Sequence, residues 1–473
     1  MSFYASSCRL PKSFCLVLTS FLQRPGLPFA DVITEESIEQ AFADGEVTFG
    51  QDDSAIYTPA ITLWAFLSQV LFKAEQRSCL AAVARVAVLL VALDRGPCTS
   101  NSGAYCRARS KLPEQVIRRL TVEVADGCEK VVKDKWLWHG RHIQLADGTT
   151  VSMPDTSENQ AVYPQPAAQS PGLGFPIARL VVLFSLATGM LRGMALGPYA
   201  GKETGETALL RSLLEGFDRQ DILLADRYYC SYFMIALLME WGVDVVTRVN
   251  RQRTVDFRRG RRLGSGDHLV EWPRSDKPEW MDSATYDRMP RSIRIREIHV
   301  QVNHPGFRVE SLVVVTTLRD ARTYPAADIA ELYGFRWLAE LDIRVVKVSL
   351  GLDVVRCLTP EMVRKEIWTA LLAYNLIRRI MLQAAQGTGR TPRQLSFSAA
   401  LQTVAASWLV IVLASDTVAE RLVEAQLENL AEHLIGQRPG RVEPRAVKRR
   451  PKQQALLTKP RDQARAELLA HRL

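Results

Sequence analysis

Apolar residues recur near every 3.6 positions through roughly the first 135 residues, most clearly over 61–71 and 115–120, so residues 1–135 are predicted to be a helical region. Residues 13–22 form an apolar run behind Arg9 and Lys12 and read as an amphipathic helix. Residues 79–93 are the longest apolar stretch, but they carry Arg85 and are too short to cross a bilayer, so no membrane span is expected. The period then changes. Residues 142–147 alternate, with Ile143 and Leu145 pointing inward, and residues 180–186 are almost continuously apolar; both read as core strands.

A helix is predicted around 207–217, a buried strand over 222–225 ending at Asp226, a helix over 232–241 closed by Gly242, and a strand over 243–248. This strand-helix-strand alternation predicts an α/β sheet core over residues 136–250. Asp147 and Asp226 then lie at or just beyond strand ends, where ligand sites of such sheets gather. Over 251–322 the texture becomes short strands (268–272, 296–302, 309–317) between Gly, Pro and Asp turns, read as a β-rich insertion. Helices return from Pro325, giving a second part of the core over 323–385 and a C-terminal helical region over 386–436.

Charge adds a partner to this outline. The chain has a formal charge of +9, and residues 437–473 alone carry eleven Lys and Arg against three carboxylates. That segment reads as a basic flexible tail suited to tracking phosphates, with a merely solvated tail as the bland alternative. Arg258, Arg259, Arg261 and Arg262 form a second basic cluster on a loop or hairpin of the insertion, where contact with a DNA backbone competes with a solvated turn. The eight cysteines show no CxxC pair, and the seven histidines show no metal-ligand spacing. Reduced thiols and a cytoplasmic protein are the expectation.

The stretch 333–347 reads as one helix. At about 100° per residue, Tyr333, Arg336, Trp337, Glu340, Arg344 and Lys347 share one face, while Leu338, Leu341, Val345 and Val348 form an apolar stripe. A carboxylate among cations and aromatics suits a phosphodiester site, because it can hold a metal ion while the cations clamp phosphate oxygens. Taken alone, the face is equally an ordinary solvated one in which Glu340 pairs with Arg336 or Arg344 at i±4.

The spacing Tyr333-x2-Arg336-x3-Glu340-x6-Lys347 resembles the YREK signature of IS4-family insertion-sequence transposases. Asp147-Gly-Thr-Thr, running on to Asp155, Glu158 and Asn159, resembles the family's first catalytic block, and Leu224-Ala225-Asp226-Arg227 its second. The resemblance implies an RNase H-like core, interrupted by the insertion before the last catalytic Glu, with DNA-binding helices at the N-terminus. It implies that Asp147 and Asp226 share one Mg²⁺ (or Mn²⁺) ion while Glu340 helps to hold a second. Tyr333, Arg336 and Lys347 would contact the phosphate near a transposon end. It implies cut-and-paste transposition on double-stranded DNA, at terminal inverted repeats and a target, by a homodimeric synaptic complex. Trp337, Trp272 and Trp280 are candidates for stacking a flipped base, with packing roles as their alternative. Asp155 competes with Asp147 for the first metal position, but it follows Pro154 in a turn while Asp147 closes a strand. The rival from another class is a catalytically silent relative that only binds DNA.

Overall fold

The structure, a computed structural model, describes residues 12–52, 54–96, 98–301, 311–436 and 456–470. It opens with six helices: α1 (Cys15–Ser20), α2 (Glu35–Asp44), α3 (Pro59–Leu71), α4 (Cys79–Ala92), α5 (Gly103–Ser110) and α6 (Glu114–Lys130). In α3 the Thr58 hydroxyl accepts from the Ile61 N–H and Pro59 occupies the first turn. Ala60 through Leu71 are all buried, as suits a predominantly apolar helix. The run at 13–22 is not amphipathic in place: all six residues of α1 are buried, because the helix packs inside the cluster containing α3.

Nine strands then build one sheet: β1 (Ile143–Ser152), β2 (Ile177–Ser185), β3 (Leu191–Pro198), β4 (Ile222–Ala225), β5 (Asp244–Arg248), β6 (Arg261–Gly264), β7 (Asp267–Pro273), β8 (Ser292–Gln301) and β9 (Ser311–Thr316). The short helices α7 (Ser157–Val162), α8 (Glu206–Arg211), α9 (Tyr232–Glu240) and α10 (Ser283–Arg288) lie along their connections. The spatial order is β3-β2-β1-β4-β5-β9-β8-β7-β6. Strands β3, β2 and β1 pair antiparallel, while β1, β4 and β5 run parallel; this mixed order is the RNase H-like core expected from the sequence. Strands of the 251–322 region do not form a separate sheet: β9 pairs antiparallel with β5, and β8, β7 and β6 follow outward.

Alternation along the strands divides the interior into two layers. Leu145, Leu180, Val182, Leu224 and Val246 face one side, against the N- and C-terminal helices. Ala146, Val181, Leu183, Leu223, Ala225 and Val245 face the other, against α8 and α9.

After β9 come α11 (Ala326–Gly334), α12 (Trp337–Arg344), a π-helical turn (Val345–Ser349), α13 (Pro360–Gln386), α14 (Phe397–Leu413), α15 (Asp416–Glu432) and α16 (Arg461–Ala470). Of the tail, 437–455 and 471–473 lie outside the described residues, and α16 has no buried residue. Helix α13 is the spine of the helical layer, started by the Thr359 hydroxyl and Pro360 and buried along most of its length. Asn375 stitches it to both neighbours, accepting from Leu191 N and donating to Leu191 O and to Thr121 O of α6, at 2.8–2.9 Å.

The single helix expected over 333–347 is broken at Phe335–Arg336 and again at the π turn. Ala339, Asp342, Ile343 and Val346 are buried and continue the face of Ile329 and Leu332 in α11, whereas Leu338, Leu341 and Val345 are half-buried and Val348 is 61% exposed, so the expected apolar stripe is not the buried one. Asp342 is drawn inward by ion pairs with Arg378 of α13 and with Arg393, the latter at 2.9 Å. Arg393 also donates to the carbonyls of Ser185 and Leu186, and Arg378 to the Tyr374 hydroxyl, so the carboxylate ties α12 to α13 and to the β2–β3 turn. Removing one partner of such a buried network leaves charges uncompensated, so Asp342→Ala is expected to cost about 3–5 kcal/mol in denaturant unfolding. A loss below about 1 kcal/mol would show the network to be dispensable.

Candidate active site

Parallel pairing sets the site. Strands β1 and β4 run in register from Ile143 opposite Ile222 to Ala146 opposite Ala225, so the next residues, Asp147 and Asp226, sit at one level on adjacent strands. Strand β4 stops there while β1 continues to Ser152 beside β2; Asp147 therefore lies mid-strand rather than closing its strand as expected. Two residues on from Leu145 and Leu224, both aspartates belong to the face covered by the C-terminal helices, and α12 packs on β1 there. Glu340, one residue after buried Ala339, is carried to the same cleft.

That cleft, about 420 Å³, is lined by Asp147, Gly148, Asp226, Arg227, Arg248, Tyr333, Arg336, Glu340 and Ile343. It thus unites the three acidic residues singled out in the sequence with Tyr333 and Arg336. Asp226 caps the turn that follows it, accepting from Tyr228 N at 2.7 Å, while its own carbonyl accepts from the Thr247 hydroxyl at 2.7 Å. Glu340 is not free: Arg336 donates to it at 2.6 Å, the i,i+4 pair left open as the bland alternative. Among the described residues no group of three His, Cys, Asp or Glu side chains is arranged to hold a metal ion. Asp147 and Asp226 present hard oxygen donors at one level of the sheet, the donor chemistry that suits a divalent ion such as Mg²⁺ or Mn²⁺, while the Glu340 carboxylate is engaged by Arg336.

The other expected contacts are scattered. Lys347 does not reach into the cleft lining; its ammonium donates to Thr149 Oγ1 at 3.2 Å and Thr150 O at 2.9 Å, strapping the π turn to β1. Trp337 and Arg344 are exposed on the same helix. Arg258, Arg259, Arg261 and Arg262 are exposed on the β6 side of the sheet; the first two pair with Asp256 at 2.9 and 3.5 Å. Trp272 is buried, its indole N–H on Glu297, and Trp280 lies under the Arg211 guanidinium at 3.7 Å. Of the three candidate tryptophans, Trp337 alone is exposed. Asp155 lies outside the cleft lining, exposed and bonded to Gln160. Asn159 is buried and donates to the carbonyls of Pro154 and Cys357, fixing the loop after β1.

Two features of the site lay beyond the sequence reading. Arg248, at the end of β5, enters the cleft because β5 is the parallel neighbour of β4, a pairing that single-strand patterns do not disclose. Glu206 of α8 presses on Gly148: a Cβ at that position would stand 2.2 Å from its carboxyl carbon. A side chain at position 148 would therefore displace the end of the Glu206 side chain.

With this geometry in view, the chain can be set beside known proteins. Residues 138–376 match the family described as Transposase DDE domain. The chain belongs to that family. It is 28% identical over 364 residues to transposase InsG for insertion sequence element IS4 of Escherichia coli (strain K12), covering 74% of this chain and 76% of the relative, so the IS4-family resemblance is borne out. Among solved structures, the piggyBac transposase synaptic complex with hairpin DNA covers 92% of this chain and 87% of its own at 10% identity; its TM-score of 0.43 is too low to support any conclusion. No helix among the described residues of this DDE-family chain is long and apolar enough to cross a membrane.

Burial pushes the Asp147 carboxyl up to about 6, against the pull of the Gly148 N–H and the Arg336 charge, and the neighbouring Glu340 and Asp226 carboxylates push the same way. Between the ordinary aspartate value and about 6, the folded chain holds a proton that the unfolded chain has released, so this group's contribution to stability falls as pH rises through that window. Asp147→Asn is accordingly expected to stabilise the metal-free protein at pH 7.5 by on the order of 1–3 kcal/mol, with the gain vanishing by about pH 4. Thermal melts at the two pH values check this; an equal gain at both would contradict the burial of a charge.

Proposed function

We propose that this chain is a DNA transposase that cuts and rejoins phosphodiester bonds, with Asp147, Asp226 and Glu340 as its catalytic carboxylates and Mg²⁺ or Mn²⁺ as the cofactor. One observation supports the reading above others: in a chain of the DDE transposase family, three acidic residues far apart in sequence line one cleft with Arg227, Arg248, Arg336 and Tyr333. Bound divalent ions would activate a water or a DNA 3′-OH and neutralise charge on the attacking and leaving oxygens. The chain's own side chains do the rest. Asp147, within β1, and Asp226, just past the end of β4, would set the position of the ion relative to the backbone. Arg227, Arg248 and Arg336 draw in and orient a phosphate, since guanidinium groups match its oxygens in bidentate fashion. The Tyr333 phenol, pushed up to about 12 mainly by burial, remains an O–H donor at working pH. Exposed Trp337 and Arg344 on the rim and the Arg258–Arg262 cluster lengthen the basic track for a duplex. The element's terminal inverted repeats and a target duplex are the proposed partners, held by a homodimer.

The silent-relative reading draws on one observation, the engagement of Glu340 by Arg336. Purified protein, Mg²⁺ and a labelled element end separate the two. Wild type is expected to nick and strand-transfer, while Asp226→Ala and Glu340→Ala retain the DNA and lose at least a thousandfold in cleavage, an effect of the size seen when a key catalytic group is removed. Equal cleavage by all three proteins would remove the catalytic assignment, and retention without cleavage by wild type would favour the silent relative.

A further inference from the structure

We propose that Arg336 is the place-holder of the incomplete metal site: it keeps Glu340 in an exchangeable ion pair, and a DNA phosphate, by taking the guanidinium, frees that carboxylate to complete the site. The inference rests on the transposase reading above and adds an order of assembly to it, in which substrate binding precedes the second metal ion.

Two carboxylates on α12, two residues apart, are held in opposite ways. Asp342 is 3% exposed and shared between Arg378 and Arg393, which grip the β2–β3 turn and α13 as well, so it fixes the helix. Glu340 is 38% exposed and its single guanidinium partner is 21% exposed. A lone i,i+4 pair within reach of solvent is far weaker than the buried, doubly paired Asp342 network. A DNA phosphate offers Arg336 a stronger, bidentate partner, so the exchange runs downhill when DNA enters and reverses when it leaves. Because Asp342 anchors α12 independently, the exchange needs a side-chain rotation and no movement of the helix.

The surroundings agree with that division. Arg336 stands at the break between α11 and α12, where no intact helix confines it. It faces Tyr333, Glu340 and Asp147. Beyond Glu340 the helix passes into the π turn, a distortion that recurs at functional sites, and Lys347 ties this turn to Thr149 and Thr150 of β1. The helix is thus fixed just beyond Glu340, at Asp342 and Lys347, while the Glu340 side chain is held by Arg336. No three-carboxylate ligand arrangement exists among the described residues in this state, although all three line the cleft.

The test is Mn²⁺ binding to the full-length protein, read from the loss of the free-ion electron paramagnetic resonance signal, with and without a DNA duplex. DNA-free wild type is expected to take up one ion per chain, and the DNA complex two. DNA-free Arg336→Gln is expected to bind the second ion at least tenfold more tightly than DNA-free wild type, whereas Arg336→Lys, which keeps a cation beside Glu340, behaves as wild type. Two equally tight ions on DNA-free wild type would overturn the proposal without recourse to any variant. So would an unchanged second site in folded Arg336→Gln. Asp226→Asn separates this failure from failure of the metal-site reading: it is expected to abolish the first ion, and if it leaves Mn²⁺ uptake untouched, the site itself is wrong.

Discussion

Parallel pairing of β1 with β4 fixes where chemistry is possible in this chain. Its register brings Ala146 level with Ala225, both buried in the α8/α9 layer, and strand alternation then turns the following residue of each strand to the opposite face. A slip of one residue would carry Asp147 into the apolar layer occupied by Leu210 and Phe233, where desolvating a carboxylate is costly. The hydrophobic sorting of the sheet into two layers is therefore what holds two acidic groups at one level. The continuation of β1 beyond the end of β4 leaves their tips open to a cleft.

Much of this was legible in the chain. Alternation at Ile143 and Leu145 and the short apolar run before Asp226 pointed to the sheet and to its two aspartates through local periodicity, and the resemblance carried by the YREK spacing singled out Glu340. What could not be read depended on long-range packing. The apolar stripe chosen on the helix after Tyr333 is not the buried one, because the face that packs inward is set by Ile329 and Leu332 of the preceding helix and includes the charged Asp342. Asp342 looked like any polar helix position, since its arginines lie 36 and 51 residues further along. Lys347 fits the motif's spacing but spends its donors on β1, an interaction that no spacing rule contains. Arg248 enters only through the β4–β5 pairing.

Rigidity and exchangeability are divided within a few residues of α12. The burial that makes the Asp342 network costly to disrupt also relieves Glu340 of any part in holding the helix, and the site can hold a carboxylate in a weak pair without loosening the fold. The raised Asp147 carboxyl belongs to the same pattern: burial disfavours its charged form, while the neighbouring Arg336 charge favours it.

Among the described residues strand β6 ends the sheet, paired on one side with β7. Its free backbone edge is the kind of surface on which two copies of a β protein can zip together, but it carries exposed Arg261 and Arg262 next to Arg258 and Arg259. Mutual repulsion between such edges gives a long, otherwise open sheet its own protection against self-association. Neutralising these side chains would expose the chain to aggregation, whatever else they touch.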